Sequence, residues 1–161
     1  MTEAQIWNFV RESNSIERIF REPTQAEVDE LKRFIALTKI TVEELEAFVK
    51  VYQPDARLRD AYGLNVRVGK YYPPFGSPDL RRELIELLEQ HNVSPWIAHM
   101  NYERLHPFTD GNGRSGRALW LWKTKYCEDG FLVNFYFQTL QNYGFYMPNQ
   151  SSIDQHFIDK D

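Results

Sequence analysis

Apolar residues recur every three or four positions along most of the chain, a spacing that predicts a largely helical protein. The first such stretch covers about 3–20, from Ile6, Phe9 and Val10 through Ile16 and Phe20. Thr24 with Glu27 makes a capping-box signature ahead of Val28, Leu31 and Ile35. Thr41 with Glu44 repeats it ahead of Leu45, Phe48, Val49 and Tyr52, and Pro54 ends that third helix. Ser77-Pro78 and Ser94-Pro95 each place a cap residue before a proline at the first helical position, predicting helices over about 78–91 and 95–105. Two more follow, over about 113–127 and from Phe131 to about Tyr143. Beyond Gly144 the tail is polar with scattered aromatics and shows no clear period.

One segment departs from this pattern. In RLRDAYGLNVRVGKYYPPFG, residues 57–76, Val66 and Val68 alternate with Arg67, Gly69-Lys70 can turn, and Tyr71 and Tyr72 favour strands. A short β-hairpin over about 61–73 is expected. The predicted architecture is a single all-α domain over 1–161 carrying that one hairpin.

The first helix also holds a polar anomaly. With Ile6 at 0° and about 100° per residue, Ser13 and Glu17 fall within roughly 20° of the centre of the apolar stripe. A lone carboxylate there is costly to bury, so it calls for a partner, most naturally an arginine. A frayed, partly exposed helix is the plainer alternative.

Composition narrows the picture. The chain has 161 residues, 42% hydrophobic and 15% aromatic, enough for one core. Its net charge of −4 carries no footprint of nucleic-acid binding. No apolar run suits a bilayer, and MTEAQIWNFVRES lacks the apolar stretch of a signal peptide, so no membrane association is expected. Cys127 is the single cysteine, which favours a reducing, cytoplasmic setting. It reads as a small buried residue.

The chemistry concentrates in HPFTDGNGRSGR, residues 106–117. Gly111 to Gly116 matches GxGxxG, but the preceding segment is capped like a helix and lacks the strand a dinucleotide fold requires. No Lys-Ser/Thr follows the glycines, which removes a P-loop. What survives is an anion site at a helix N-terminus. Gly111 and Gly113 would permit positive φ and close approach, and free N–H groups would point at a phosphate. Arg114 and Arg117 lie three apart on one helix face. Cations in a first turn are unfavourable unless an anion is bound, and two guanidiniums suit a polyphosphate. Asp110 then fits as a ligand of Mg²⁺ lying between carboxylate and phosphates. His106 could take a proton from a hydroxyl. Together they equip a site for phosphoryl or nucleotidyl transfer. Singly, each has a bland reading: His106 a helix-end cation, Asp110 and Asn112 turn formers, the arginines surface ion-pair partners.

The same twelve residues resemble the signature of the Fic family, H-x-F-x-(D/E)-G-N-G-R-x-x-R, with every fixed position filled. His99, Glu103 and Leu105 resemble the helix leading into it, and VRVGKYYPP resembles the family's flap hairpin. The resemblance spans roughly residues 10–140. It implies a compact all-α fold and transfer of AMP from ATP, the co-substrate, onto a Tyr, Thr or Ser hydroxyl of a target protein. His106 would be the general base, Phe108 the loop's anchor and Asp110 the Mg²⁺ ligand. Gly111, Asn112 and Gly113 would cradle phosphates that Arg114 and Arg117 clamp. Val66, Arg67 and Val68 would dock an extended segment of the target. SNSIE, Ser13 to Glu17, is similar to the family's inhibitory motif (S/T)-x-x-x-E-(G/N), which implies a Glu17–Arg117 pair in place of the γ-phosphate and a self-inhibited enzyme. Arg18 departs from the motif's Gly or Asn.

Other functions use the same residues: removal of AMP from a target, transfer of phosphate or another nucleotide, or a non-catalytic nucleotide-sensing module. A homo-oligomer is left open. His99 suits packing better than metal binding, and His91 and His156 lack supporting context. Trp96, Trp120 and Trp122 read as packing residues. The FYFQTL run, Phe135 to Leu140, reads as core, with Tyr136 beside a nucleotide base as the alternative.

Overall fold

The computed structural model describes residues 1–128 and 132. Among them are six helices and no β-sheet: α1 (Glu3–Ile16), α2 (Gln25–Ala36), α3 (Val42–Tyr52), α4 (Pro78–Leu88), α5 (Pro95–Leu105) and α6 (Asn112–Thr124). The helix expected from Phe131 and the FYFQTL run lie outside the described residues. No described helix is long and apolar enough to cross a membrane.

Local chemistry sets the starts. Thr2 and Thr24 each close a full capping box, with Gln5 and Glu27 as reciprocal partners. Thr41 and Ser94 accept from the N3 amides of α3 and α5. Pro78 and Pro95 stand in the first turns of α4 and α5, where no N–H is required.

Helix α6 runs through the middle and contacts α1, α2, α3 and α5. Every residue from Arg114 to Leu121 is buried, including Arg114, Ser115 and Arg117. Its nearest neighbour is α5, because Gly116 removes the side chain at their closest approach. A Cβ there would lie 2.6 Å from Glu103 Oε1 and 3.1 Å from the Tyr102 ring. The apolar core around it gathers Phe9 and Val10 of α1, Val28, Leu31 and Phe34 of α2, and Leu45 and Phe48 of α3.

Two expectations change. The predicted hairpin is reduced to one antiparallel bridge, Val68 with Tyr71, closed by two 2.9 Å hydrogen bonds around Gly69-Lys70. Two prolines follow Tyr72 and remove the amides that a longer ladder would use. The first helix stops at Ile16, four residues short of the expected end. Arg18 turns to φ 61° and its N–H bonds Ser15 O, while Ile19 N–H bonds Asn14 O. This is the Schellman closure, and it leaves Phe20 81% exposed, outside the core that its spacing suggested.

The closure places residue 18 in the left-handed region, which suits the Gly or Asn of the motif that SNSIE resembles. An arginine there carries strain of about 1 kcal/mol that glycine lacks. Arg18→Gly is expected to raise the calorimetric melting temperature by about 2–4 °C. Arg18→Val should lower it, and equal midpoints in both variants would contradict the left-handed geometry.

Candidate active site at the start of the central helix

The loop between α5 and α6 is built on main-chain pairing. Residues 57–59 run beside 107–109, with Arg59 N–H to Pro107 O at 2.8 Å and Thr109 N–H to Arg57 O at 2.9 Å. Phe108 is buried to 1% and anchors the loop. His106 ends α5 in the left-handed region, φ 48° and ψ 60°. Such a conformation at a chemically capable residue marks a site held by its surroundings.

Gly111 opens α6 at φ 79°, so its glycine is a conformational requirement. Gly113 differs from expectation: it is helical, with no positive φ. Its missing side chain makes room instead, because a Cβ there would collide with the Glu17 carboxylate and lie 3.0 Å from Arg117 Nη1. Asn112 holds the loop's shape. Its amide NH₂ donates to Phe108 O at 2.7 Å and its Oδ1 accepts from Phe108 N–H at 2.9 Å. Ser115 Oγ reaches back to Gly111 O at 2.9 Å and meets the Tyr102 hydroxyl at 2.7 Å.

Both arginines are buried. Arg117 Nε donates to Ser13 Oγ at 2.8 Å, and its Nη2 donates to Ser13 O at 3.1 Å and Glu17 Oε1 at 2.6 Å. The structure thus brings together the two stretches that the sequence separates by a hundred positions. The guanidinium is 2% exposed and the Glu17 side chain 32%, so the carboxylate is the member that solvent reaches. Arg114 lies 5.5 Å over the Tyr52 ring, and its buried Nε finds no hydrogen-bond partner among the described residues. Burial pushes its pKa down, and the charges of Glu17 and Asp110 pull it back. Tyr52 is fixed in turn by its hydroxyl donating to Glu27 O at 2.7 Å and by stacking on Phe48. Glu27 receives both arms of Arg21 at 2.8 Å, which ties the segment after α1 to the start of α2.

Burial, helped by the Arg59 charge, holds the His106 imidazole down at about 4, while the Glu103 carbonyl and Glu17 pull the other way. The ring is therefore neutral near pH 7. Asp110 is exposed and accepts from Gly111 N–H at 2.6 Å, with no other hydrogen-bond or ion-pair partner among the described residues. No cluster of three metal-binding side chains occurs among the described residues. A single open carboxylate beside an anion cradle fits Mg²⁺, which binds through one or two carboxylates plus substrate phosphates. Val66 and Val68 are half-buried and Arg67 is exposed, its guanidinium 5.7 Å from the Tyr72 ring.

Glu103 is a further ionisable residue at the site, with no mark in the sequence beyond its place in the helix leading into the loop. It is buried, and its Oε1 has no hydrogen-bond partner among the described residues. Burial lifts its pKa to about 7, against the pull of Arg117.

A helical domain whose central helix starts with two buried arginines, one of them bonded to a carboxylate of the segment closing α1, is thereby defined. Residues 27–122 match the model of the Fic/DOC family, and the chain belongs to that family. The matched span begins at Glu27, so α1 with Ser13 and Glu17 precedes it. No solved structure matches the chain significantly.

Glu103 supplies a prediction. Its pKa is raised from 4.5 unfolded to about 7 folded, so its contribution to stability is full below pH 4.5 and is lost as pH rises through 7. Glu103→Gln cannot ionise. Its melting temperature relative to wild type should climb between pH 4.5 and 7, by about 2–4 °C for each kcal/mol, and level off above. A difference independent of pH would contradict a protonated Glu103.

Proposed function

We propose that the protein is a self-inhibited protein adenylyltransferase, moving AMP from ATP to a Tyr, Thr or Ser hydroxyl of a target protein. The observation that carries this reading is the Glu17 carboxylate lying over Gly113 and bonded to Arg117. An anion already occupies the start of α6, where N–H groups and two buried guanidiniums favour negative charge.

In the released form the polyphosphate of ATP takes that place, with Arg117 and Arg114 on its outer oxygens. Asp110 would hold Mg²⁺, which supplies charge neutralisation on the phosphates. His106, neutral at physiological pH, accepts the proton of the target hydroxyl. That oxygen bonds to the α-phosphorus, the bond from the α-phosphorus to its bridging oxygen breaks, and pyrophosphate leaves. The segment 66–68 presents the target as an extended strand. With Glu17 in place the outer phosphates are displaced and the α-phosphorus is not aligned for attack, which is the physical content of self-inhibition.

Incubation with labelled ATP and Mg²⁺, followed by intact mass measurement, tests this. Glu17→Gly should gain one AMP per modified hydroxyl at a rate at least about tenfold above wild type. Adding His106→Ala should remove about 10²–10⁴ of that rate. Equal labelling of wild type and Glu17→Gly would reject the inhibitory pair. Loss of AMP from a modified target would favour the reverse reaction, and a gain of phosphate would change the transferred group.

A further inference from the structure

Arg59 is completely buried, and its side chain meets no carboxylate within ion-pair distance among the described residues. All its side-chain hydrogen bonds go to main-chain carbonyls. Nε donates to His106 O at 2.7 Å and Nη2 to Leu105 O at 2.9 Å, the last carbonyls of α5. Nη1 donates to Pro74 O at 2.8 Å and, more weakly, to Leu64 O at 3.4 Å. Burying a charge with no counter-charge is costly, and burial here lowers the arginine's pKa. The negative end of the α5 dipole offsets part of that cost. An apolar residue would fill the space without the penalty. What it lacks is a rigid fork that grips two chain segments at once.

Those segments are the two feet of the 64–74 loop and the backbone carrying His106. The feet are rigidly joined. Gly76 N–H bonds Asn65 Oδ1 at 3.0 Å, and a Cβ on Gly76 would lie 2.7 Å from both Ala61 O and Leu64 O. Arg59 itself is pinned on both sides, its N–H to Pro107 O at 2.8 Å and its carbonyl to Ser77 N–H at 3.0 Å. Tyr71 adds a second tie, donating its hydroxyl to Arg104 O at 2.9 Å. The loop therefore cannot shift without pulling on the carbonyls of Leu105 and His106, where the chain is in its left-handed turn.

We infer that Arg59 is a positioning residue that couples the placement of the 64–74 loop to the orientation of the His106 imidazole. A target strand docked on the loop then sets the base through Arg59. The kinetic consequence rests on the transferase reading above; the mechanical coupling does not.

Two measurements on the full chain separate them. In the first, His106 ring resonances are followed by NMR in protein labelled on histidine, with His91 as an exposed reference. Asn65→Ala loosens the loop's feet without touching α6, and should shift the His106 signals. The shift should shrink by at least about half when Arg59→Lys is added, since lysine has no fork to span both segments. Unmoved His106 signals in Asn65→Ala, or a shift unaffected by Arg59→Lys, would overturn the inference whatever the enzyme transfers. In the second, Arg59→Lys is placed in the Glu17→Gly protein. It keeps the positive charge, so a change reports geometry. The kcat for AMP labelling should fall about tenfold while the KM for ATP stays within about twofold. Parallel loss of kcat and ATP affinity would mark a merely structural residue and overturn the coupling. Should Glu17→Gly show no labelling at all, the transferase reading fails and the NMR result alone decides for or against Arg59.

Discussion

A guanidinium buried at the N-terminal end of a helix is costly without negative charge beside it, and the Arg117 side chain shows how the chain supplies that charge. Its surroundings put positive charge against the positive end of a dipole, in a place that water does not reach. The chain answers by bringing α1 across the start of α6, so that Ser13 and Glu17 supply three acceptor contacts. The docking of α1, the small residue at 113 and the exposure of Glu17 all follow from that one need.

The magnitudes are compatible with the switching role proposed for this contact. Exposed ion pairs contribute about 0–1 kcal/mol, and breaking a fully buried pair costs about 3–5 kcal/mol. Glu17–Arg117 lies between, with one member buried and the other a third exposed. Ser13 holds Arg117 through its own two contacts, Oγ and the main-chain carbonyl, besides the carboxylate. A polyphosphate brings more charge and more acceptor oxygens than one carboxylate. Arg114, stacked over Tyr52 with its Nε unbonded among the described residues, has an unmet need that a phosphate would fill. The strained closure at Arg18 sits one residue from Glu17, where weakening of the helix end acts directly on the pair.

Most helix starts were legible because capping is local chemistry: Thr24, Thr41 and the two prolines act within four residues. The 106–117 segment stood out because its candidate residues are packed into one loop and one helix start, and the structure does place them there. Ser13 and Glu17 were visible as polar residues on an apolar stripe, but their partner came only from the family pattern, since spacing cannot pair residues a hundred apart. The end of α1 was misjudged because Ile16 and Phe20 continue the period while Arg18 breaks the helix through its backbone. Gly113 was assigned conformational freedom, whereas its reason is a carboxylate from another helix. Asn112 spends its amide on Phe108. Arg59 escaped notice because its partners are carbonyls, which leave no mark in a sequence. In Ala56-Arg57-Leu58-Arg59, alternation would put it outside with Arg57, yet it is buried.

The most direct measurement is a crystal structure of Glu17→Gly with ATP and Mg²⁺. The terminal phosphate is predicted to lie over Gly113, where the carboxylate lies now, within hydrogen-bond distance of Arg117 and with Arg114 engaged. A nucleotide bound with its phosphates away from both arginines, or Arg117 left on Ser13 alone with the cradle filled by water, would contradict the claim that Glu17 holds the place of a phosphate.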